Sequence, residues 1–219
     1  MTRVPFAVRA VLFDWDGTLL DSYHSDARAF LAMFRELGVR WNLQDLARHY
    51  SPNWYRVYHA ARIPRSLWKE ADRLWEKAYE KESPCLLPGA RLVLRRLERR
   101  FLLGLVTSGN SHRVRRQLRE FRLRQVFSAC ICSEDAPRRK PHPAPLELAL
   151  RRLRTRPETC VYVGDTPDDI EMARRAGVRA IAVLGPFPTH DRLRAVRPDV
   201  VLDSIAELPN WVARDPDQT

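Results

Sequence analysis

Two carboxylates one residue apart, Asp14 and Asp16, stand where an apolar run from Ala10 to Phe13 ends, and Gly17 and Thr18 follow at once. The stretch VLFDWDGTLLDS reads as a buried strand that delivers two acids to a tight turn at its C-terminal end, where open α/β sheets place their chemistry. Acids this close repel, and their pKa values rise unless a cation or a lysine neutralises them. Partners are therefore expected later in the chain, and three sets appear. The run FLLGLV leads into Thr107 and Ser108; Lys140 stands in the tight segment KPHP; the run CVYV ends in Gly164 and Asp165, with Asp169 four residues on. Taken alone, Asp14 and Asp16 could be a turn pair, Thr107 and Ser108 an ordinary helix N-cap, and Lys140 a solvated lysine. Their shared position at predicted strand ends argues instead for a common site.

The elements that must position these residues follow from hydrophobic periodicity. Ser22 to Leu37 reads as a helix with Ala29, Phe30, Met33, Phe34 and Leu37 on one face and Gly38 as its stop. Further helices are expected over residues 43–50, 52–61 and 65–82, and no strand signal intervenes before Pro84. From Leu87 the chain alternates: helix 88–100, strand 101–106, a very basic helix 110–122, strand 126–132, helix 144–153, strand 160–163, helix 168–176, strand 180–183, a helix around 191–196 and strand 200–202. Short strands alternating with helices imply a doubly wound parallel sheet with right-handed crossovers, an α/β fold interrupted by a helical insertion. A polar tail follows Trp211.

A chain of 219 residues is long enough for one α/β domain with a modest insertion. Its opening, MTRVPFAVRAVLFDWDG, lacks a sustained apolar region with a cleavage site, and no apolar run approaches the roughly 20 residues of a spanning helix. A cytoplasmic enzyme without membrane contact is the expectation. The cysteines Cys85, Cys130, Cys132 and Cys160 form no zinc-like pair and are read as structural. Charge is strongly basic, 38 Lys and Arg against 27 Asp and Glu for a net +11. Such a surface can steer anions or contact nucleic acid. Only Lys69, Lys77, Lys81 and Lys140 are lysines, though, and the arginines spread over most helices without a recognisable nucleic-acid module, so compositional bias is the simpler account. No specific nucleic-acid partner is expected.

The set Asp14-x-Asp16-Gly-Thr, Thr107 with Ser108, Lys140-Pro-x-Pro and Gly164-Asp165-x-x-x-Asp169 resembles the four motifs of the haloacid dehalogenase-like (HAD) hydrolase superfamily, in order and in strand context, from about Val11 to Val183. The resemblance implies a Rossmann-like core, residues 1–21 and 87–219, with a helical cap, residues 22–86, over the active site. That cap would hold Trp41, Trp54, Trp68 and Trp75 and Tyr23, Tyr50, Tyr55, Tyr58 and Tyr79, most of them packing its own interior and the remainder facing substrate. His24, Arg56, His59 and Arg62 are the candidates for polar contacts from the cap.

The same resemblance implies the roles. Asp14 would attack phosphorus to form an aspartyl-phosphate, and Asp16 would protonate the leaving oxygen and then activate water. Mg²⁺ would be held by Asp14, the backbone carbonyl of Asp16 and Asp165, with Asp169 bound to it directly or one contact removed. Thr107, with the amides of Ser108 and Gly109, would hold the phosphoryl oxygens, and Lys140 would hold Asp14 and offset phosphoryl charge. An acid two residues after the nucleophile favours phosphoryl chemistry over carbon–halogen cleavage within the superfamily. Three readings stay open: a phosphatase of small-molecule monoesters similar to phosphoglycolate phosphatases, a phosphomutase similar to β-phosphoglucomutase, and a non-catalytic basic protein that binds nucleic acid.

Overall fold

The computed structural model describes residues 8–213, so the first residues of the opening segment and the polar tail from residue 214 lie outside the described residues. The strands are β1 (Ala10–Phe13), β2 (Leu20–Asp21), β3 (Cys85–Leu86), β4 (Leu102–Val106), β5 (Ala129–Ile131), β6 (Cys160–Gly164), β7 (Arg179–Val183) and β8 (Val200–Leu202). The helices are α1 (Tyr23–Glu36), α2 (Leu43–His49), α3 (Trp54–Ala60), α4 (Trp68–Tyr79), α5 (Ala90–Leu97), α6 (Ser111–Glu120), α7 (Ala144–Leu153), α8 (Pro167–Arg175), α9 (His190–Ala195) and α10 (Leu208–Ala213). Six strands form a parallel sheet in the order β5-β4-β1-β6-β7-β8. β1 is central, and the order reverses around it, which opens a crevice at the C-terminal ends of its neighbours β4 and β6.

Burial on both faces explains why the strands read as continuous apolar runs. Every residue of β1 is buried, and alternate side chains enter different cores: Val11 and Phe13 pack with Leu103, Leu105 and Val163 on one side, Ala10 and Leu12 with Val106, Tyr162 and Leu146 on the other. Trp15 continues the first of these faces, fully buried, with its indole N–H donating to Gln117 Oε1 at 2.9 Å. A third core, built around Phe30, Phe34, Val57, Tyr58 and Ala71, belongs to helices α1 to α4 and the connections between them.

No strand was expected between the first strand and Pro84, but β2 and β3 pair antiparallel, Leu20 with Leu86 and Asp21 with Cys85, where the chain leaves and rejoins the sheet layer. Two residues are too few to show a period. The expected strand 126–132 shortens to β5 because the Val126 N–H turns back to the Leu123 carbonyl. Several helices end on an arginine in the left-handed region, Arg62, Arg122, Arg154 and Arg197, where glycine is usual. The arginine bias thus reaches the helix ends themselves, where a cation suits the macrodipole.

Candidate active site

The C-terminal ends of β1, β4 and β6 bring the motif residues together. Asp14 follows β1 directly, and its backbone N–H donates to the Val163 carbonyl of β6 at 2.9 Å, which fixes the first acid beside the strand that carries Asp165. The turn after Asp16 needs Gly17: its φ is +83°, and a Cβ there would collide with the Asp165 carboxylate and the Phe187 ring. Gly164 serves a second close approach, since a Cβ would meet the Asp169 side chain.

Lys140 is the electrostatic centre. It comes from the loop between β5 and α7, is 2 % exposed, and its Nζ donates to Asp14 Oδ1 and Asp169 Oδ1, each at 2.7 Å. The Tyr162 hydroxyl lies 3.0 Å from the same Asp169 oxygen. Asp169 Oδ2 accepts from the Thr166 amide at 3.1 Å and hydroxyl at 2.6 Å, in a reciprocal capping box at the start of α8. Both Asp169 oxygens are therefore committed within the protein.

Asp165 is different. Its Oδ1 accepts from the Thr18 hydroxyl at 2.9 Å, while its buried Oδ2 has no partner. Asp14, Asp165 and Asp169 each offer an oxygen within 4.8 Å of the others. Burial pushes the Asp14 carboxyl up to about 7 against the pull of Lys140, and burial with the charges of Asp14 and Asp169 raises Asp165 well above the ordinary carboxylate range. Lys140, although buried, is held above its usual value by these two aspartates. Three buried carboxylates facing one ammonium leave an excess of negative charge, and hard oxygen donors with one orphaned lone-pair set fit a divalent cation such as Mg²⁺.

Asp16 points elsewhere. Its carboxylate takes a two-point contact from Arg113 in the first turn of α6, 2.8 and 2.6 Å, and does not join the acidic cluster. Burial alone would raise its pKa, but the Arg113 guanidinium outweighs burial and lowers it. Arg113 in turn lies over the Tyr79 ring of α4, 5.0 Å from guanidinium carbon to centroid, so a residue of the sheet layer ties the acid to a helix of the inserted layer. Sequence reasoning passed over Arg113 as part of a basic helix. The available signal was its position: α6 has no acid in its first turn, where helix dipoles favour one, and an arginine there needs another reason.

Thr107 follows β4 directly, and its hydroxyl accepts the Gly109 amide at 3.0 Å, which leaves its own proton free to donate. Asp14, Asp16, Thr107, Ser108 and Gly109 line one side of a cleft of about 240 Å³, and Tyr50, Trp54, Tyr58 and Trp75 line the other. Of the four polar candidates from the insertion, none lines this cleft. Arg56 instead pairs with Asp168 at 3.2 Å, and the His24 ring packs on Tyr23. Asp26 and Arg139, not singled out from sequence, do line it. Burial, with the nearby charge of Asp16, raises Asp26 to about 8.

A sequence model described as haloacid dehalogenase-like hydrolase matches residues 11–183. Among curated relatives, the pyrophosphatase PpaX of Oceanobacillus iheyensis is 27 % identical over 92 % of this chain and 95 % of its own length. The phosphoglycolate phosphatase of Yersinia pseudotuberculosis is 30 % identical over 92 % of each chain. Among solved structures, CbbY from Rhodobacter sphaeroides, in complex with phosphate, superposes with a TM-score of 0.78 at 26 % identity, covering 92 % of this chain and 96 % of its own. Motifs, sheet order and these likenesses agree that the chain belongs to the haloacid dehalogenase-like hydrolase family.

Proposed function

We propose that the chain is a magnesium-dependent phosphatase that hydrolyses small-molecule phosphate monoesters through an aspartyl-phosphate on Asp14, with residues 22–86 serving as a cap over a core of residues 1–21 and 87–219. The observation that carries this reading is the buried set of Asp14, Asp165 and Asp169 around the single ammonium of Lys140, with an Asp165 oxygen left unpaired. Asp14 and Asp165 are the residues that would hold the metal, with the Asp16 carbonyl, and Asp169 supports the site by fixing Lys140. When bound, Mg²⁺ supplies Lewis-acid stabilisation of phosphoryl charge.

The remaining roles belong to the chain. Asp14 attacks phosphorus, and Lys140 keeps its carboxylate ionised and oriented. The Thr107 hydroxyl and the Ser108 amide receive the phosphoryl oxygens at the start of α6, while the Gly109 amide, expected to join them, donates instead to the Thr107 hydroxyl and orients it. Asp16 is the residue assigned to proton transfer: ionised against Arg113 it can take a proton from the attacking water, and it passes one to the leaving oxygen only after leaving that two-point contact and taking up a proton. A cleft of about 240 Å³ with aromatic walls suits a small substrate rather than a polymer. No described helix is long and apolar enough to cross a membrane, and the four cysteines are unpaired, in keeping with a reducing, cytoplasmic location.

Acid quenching during turnover tests the reading. A phosphoryl group on the peptide that contains Asp14 is expected, and its absence at a time of steady phosphate release would overturn the covalent route. Interconversion of sugar phosphates without release to water would favour the phosphomutase.

A further inference from the structure

Arg139 also lines a second groove, of about 450 Å³, which shares no other lining residue with the catalytic cleft. The wall of this groove is drawn from both layers, Arg56 of α3 on one side and Arg138, His142 and Arg175 on the other, and among the described residues no carboxylate lines it. Two of the cations are compensated from behind. Arg56 pairs with Asp168 at 3.2 Å and Arg175 with Glu171 at 2.9 Å, while the Arg175 guanidinium also donates to the Pro141 carbonyl at 3.2 Å. Arg139 lies with its guanidinium carbon 4.0 Å from the Trp54 ring centroid and 4.7 Å from that of Tyr55, and it makes no ion pair. Arg138 is exposed and has neither a hydrogen bond nor an ion pair among the described residues. His142 accepts the Ala144 amide at Nδ1, 3.1 Å, so its Nε2 carries the proton and is a donor.

A single exposed arginine is a solvated cation of little consequence. Four guanidinium groups on one concave wall, answered by only two carboxylates, raise the local potential and draw an anion. Three of the four are already held, by Asp168, by Glu171 with the Pro141 carbonyl, and by the two rings, so less rotamer freedom is lost on binding. The lining offers no Phe, Tyr or Trp ring on which a base could stack, so a compact phosphate-type anion fits it better than a nucleotide or a single strand. We propose that this groove is a binding site for a multiply charged phosphate-type anion, such as a short inorganic polyphosphate, that bridges the inserted helices to the loop carrying Lys140. Such an anion ties α3, whose Trp54 and Tyr58 line the catalytic cleft, to the segment that presents Lys140 on the core side. Its binding does not depend on the phosphatase reading and is tested without turnover.

The test is calorimetric titration of the full chain with tripolyphosphate, in EDTA and at constant ionic strength. Without metal, the three buried carboxylates around one ammonium keep anions out of the catalytic cleft, so the titration reads the groove. Arg56→Gln, on the side of the inserted helices, and Arg138→Gln, on the core side, are each expected to weaken binding about fivefold or more. Neither residue lines the catalytic cleft, and Arg138 is exposed and unpartnered, so its variant folds even if Arg56→Gln does not. Arg96→Gln, which removes an exposed arginine of α5 outside the groove, is the control for net charge and is expected to bind as the wild type does. No binding by the wild type, wild-type affinity in a folded Arg138→Gln, or an equal loss in Arg96→Gln overturns the site. Binding of a single-stranded RNA oligomer that Arg138→Gln weakens, without binding of tripolyphosphate, would give the groove to a nucleic-acid chain and also overturn it.

Discussion

Replacing Lys140 by Met keeps an unbranched side chain one atom shorter and removes the only ammonium among three buried carboxylates. Its Nζ makes two contacts of 2.7 Å in a site that is 2 % exposed, so the substitution breaks a buried ion pair on both sides. Removing one partner of such a pair costs about 3–5 kcal/mol, because the remaining charges stay buried without compensation. Against a total stability of about 5–15 kcal/mol this is a large share. For a chain of this size it corresponds to a fall in Tm on the order of 10 °C. The pH dependence has a definite sign. Asp14 already sits at about 7, above its ordinary value, and loss of Lys140 raises it further. A raised carboxyl stabilises the fold while protonated and loses that contribution as pH rises through its folded value. The penalty is therefore smaller at pH 6 than at pH 8. Mg²⁺ also stabilises the variant more than the wild type, since it becomes the only cation at the cluster. Urea and thermal melts in EDTA and in Mg²⁺, at both pH values, measure all three effects. A loss below about 1 kcal/mol in EDTA at pH 8, or an equal Mg²⁺ gain in both proteins, would refute the electrostatic account of the site.

Asp165→Asn removes the negative charge of the one carboxylate among the described residues with an unpaired buried oxygen, so the Mg²⁺-dependent rise in Tm is expected to disappear while the protein stays folded; differential scanning calorimetry checks this. Arg113→Gln removes the two-point contact that holds Asp16, and kcat on a monoester with a poor leaving group is expected to fall, by less than the about 10²–10⁴-fold worth of the acid–base group itself, which remains. A much smaller fall with an activated aryl phosphate, which needs no proton on its leaving oxygen, completes that test. Asp26 is raised from 3.8 to about 8 by burial, so its stabilising contribution is fully present below pH 3.8 and lost as pH rises through 8. Asp26→Asn should accordingly flatten the decline in Tm of the metal-free protein between pH 5 and 8.

The parts of this molecule that sequence made legible share a physical character. β1, β4 and β6 are buried on both faces, so they announce themselves as apolar runs, and each chemistry-bearing residue stands directly at the run's end. Asp14, Thr107 and Asp165 could be placed for that reason, and Lys140 because two prolines follow it in the segment KPHP. Less legible was everything that depends on side chains meeting across the sheet and the inserted helices. The Asp16–Arg113 pair spans 97 positions, and no local period signals it. Arg139 was one arginine among many until its stack on Trp54 and Tyr55 was visible. Conversely, Arg56 and His59 sit on α3, a helix that does reach the cleft, but their side chains leave it, and only Trp54 and Tyr58 of that helix turn inward. A helix seven residues long offers too few positions for periodicity to separate the face that packs from the face that meets substrate.

Release of inorganic phosphate from a panel of monoesters and pyrophosphate, with Mg²⁺ and with EDTA, by the wild type and by Asp14→Asn is the most direct test of the central claim. The expected result is metal-dependent turnover that is lost in the variant, whose carboxamide can neither attack phosphorus nor bind the cation as a carboxylate does. Undiminished turnover by Asp14→Asn, or turnover indifferent to EDTA, would contradict the claim that the acid at the end of β1 is the nucleophile of a metal-assisted phosphatase.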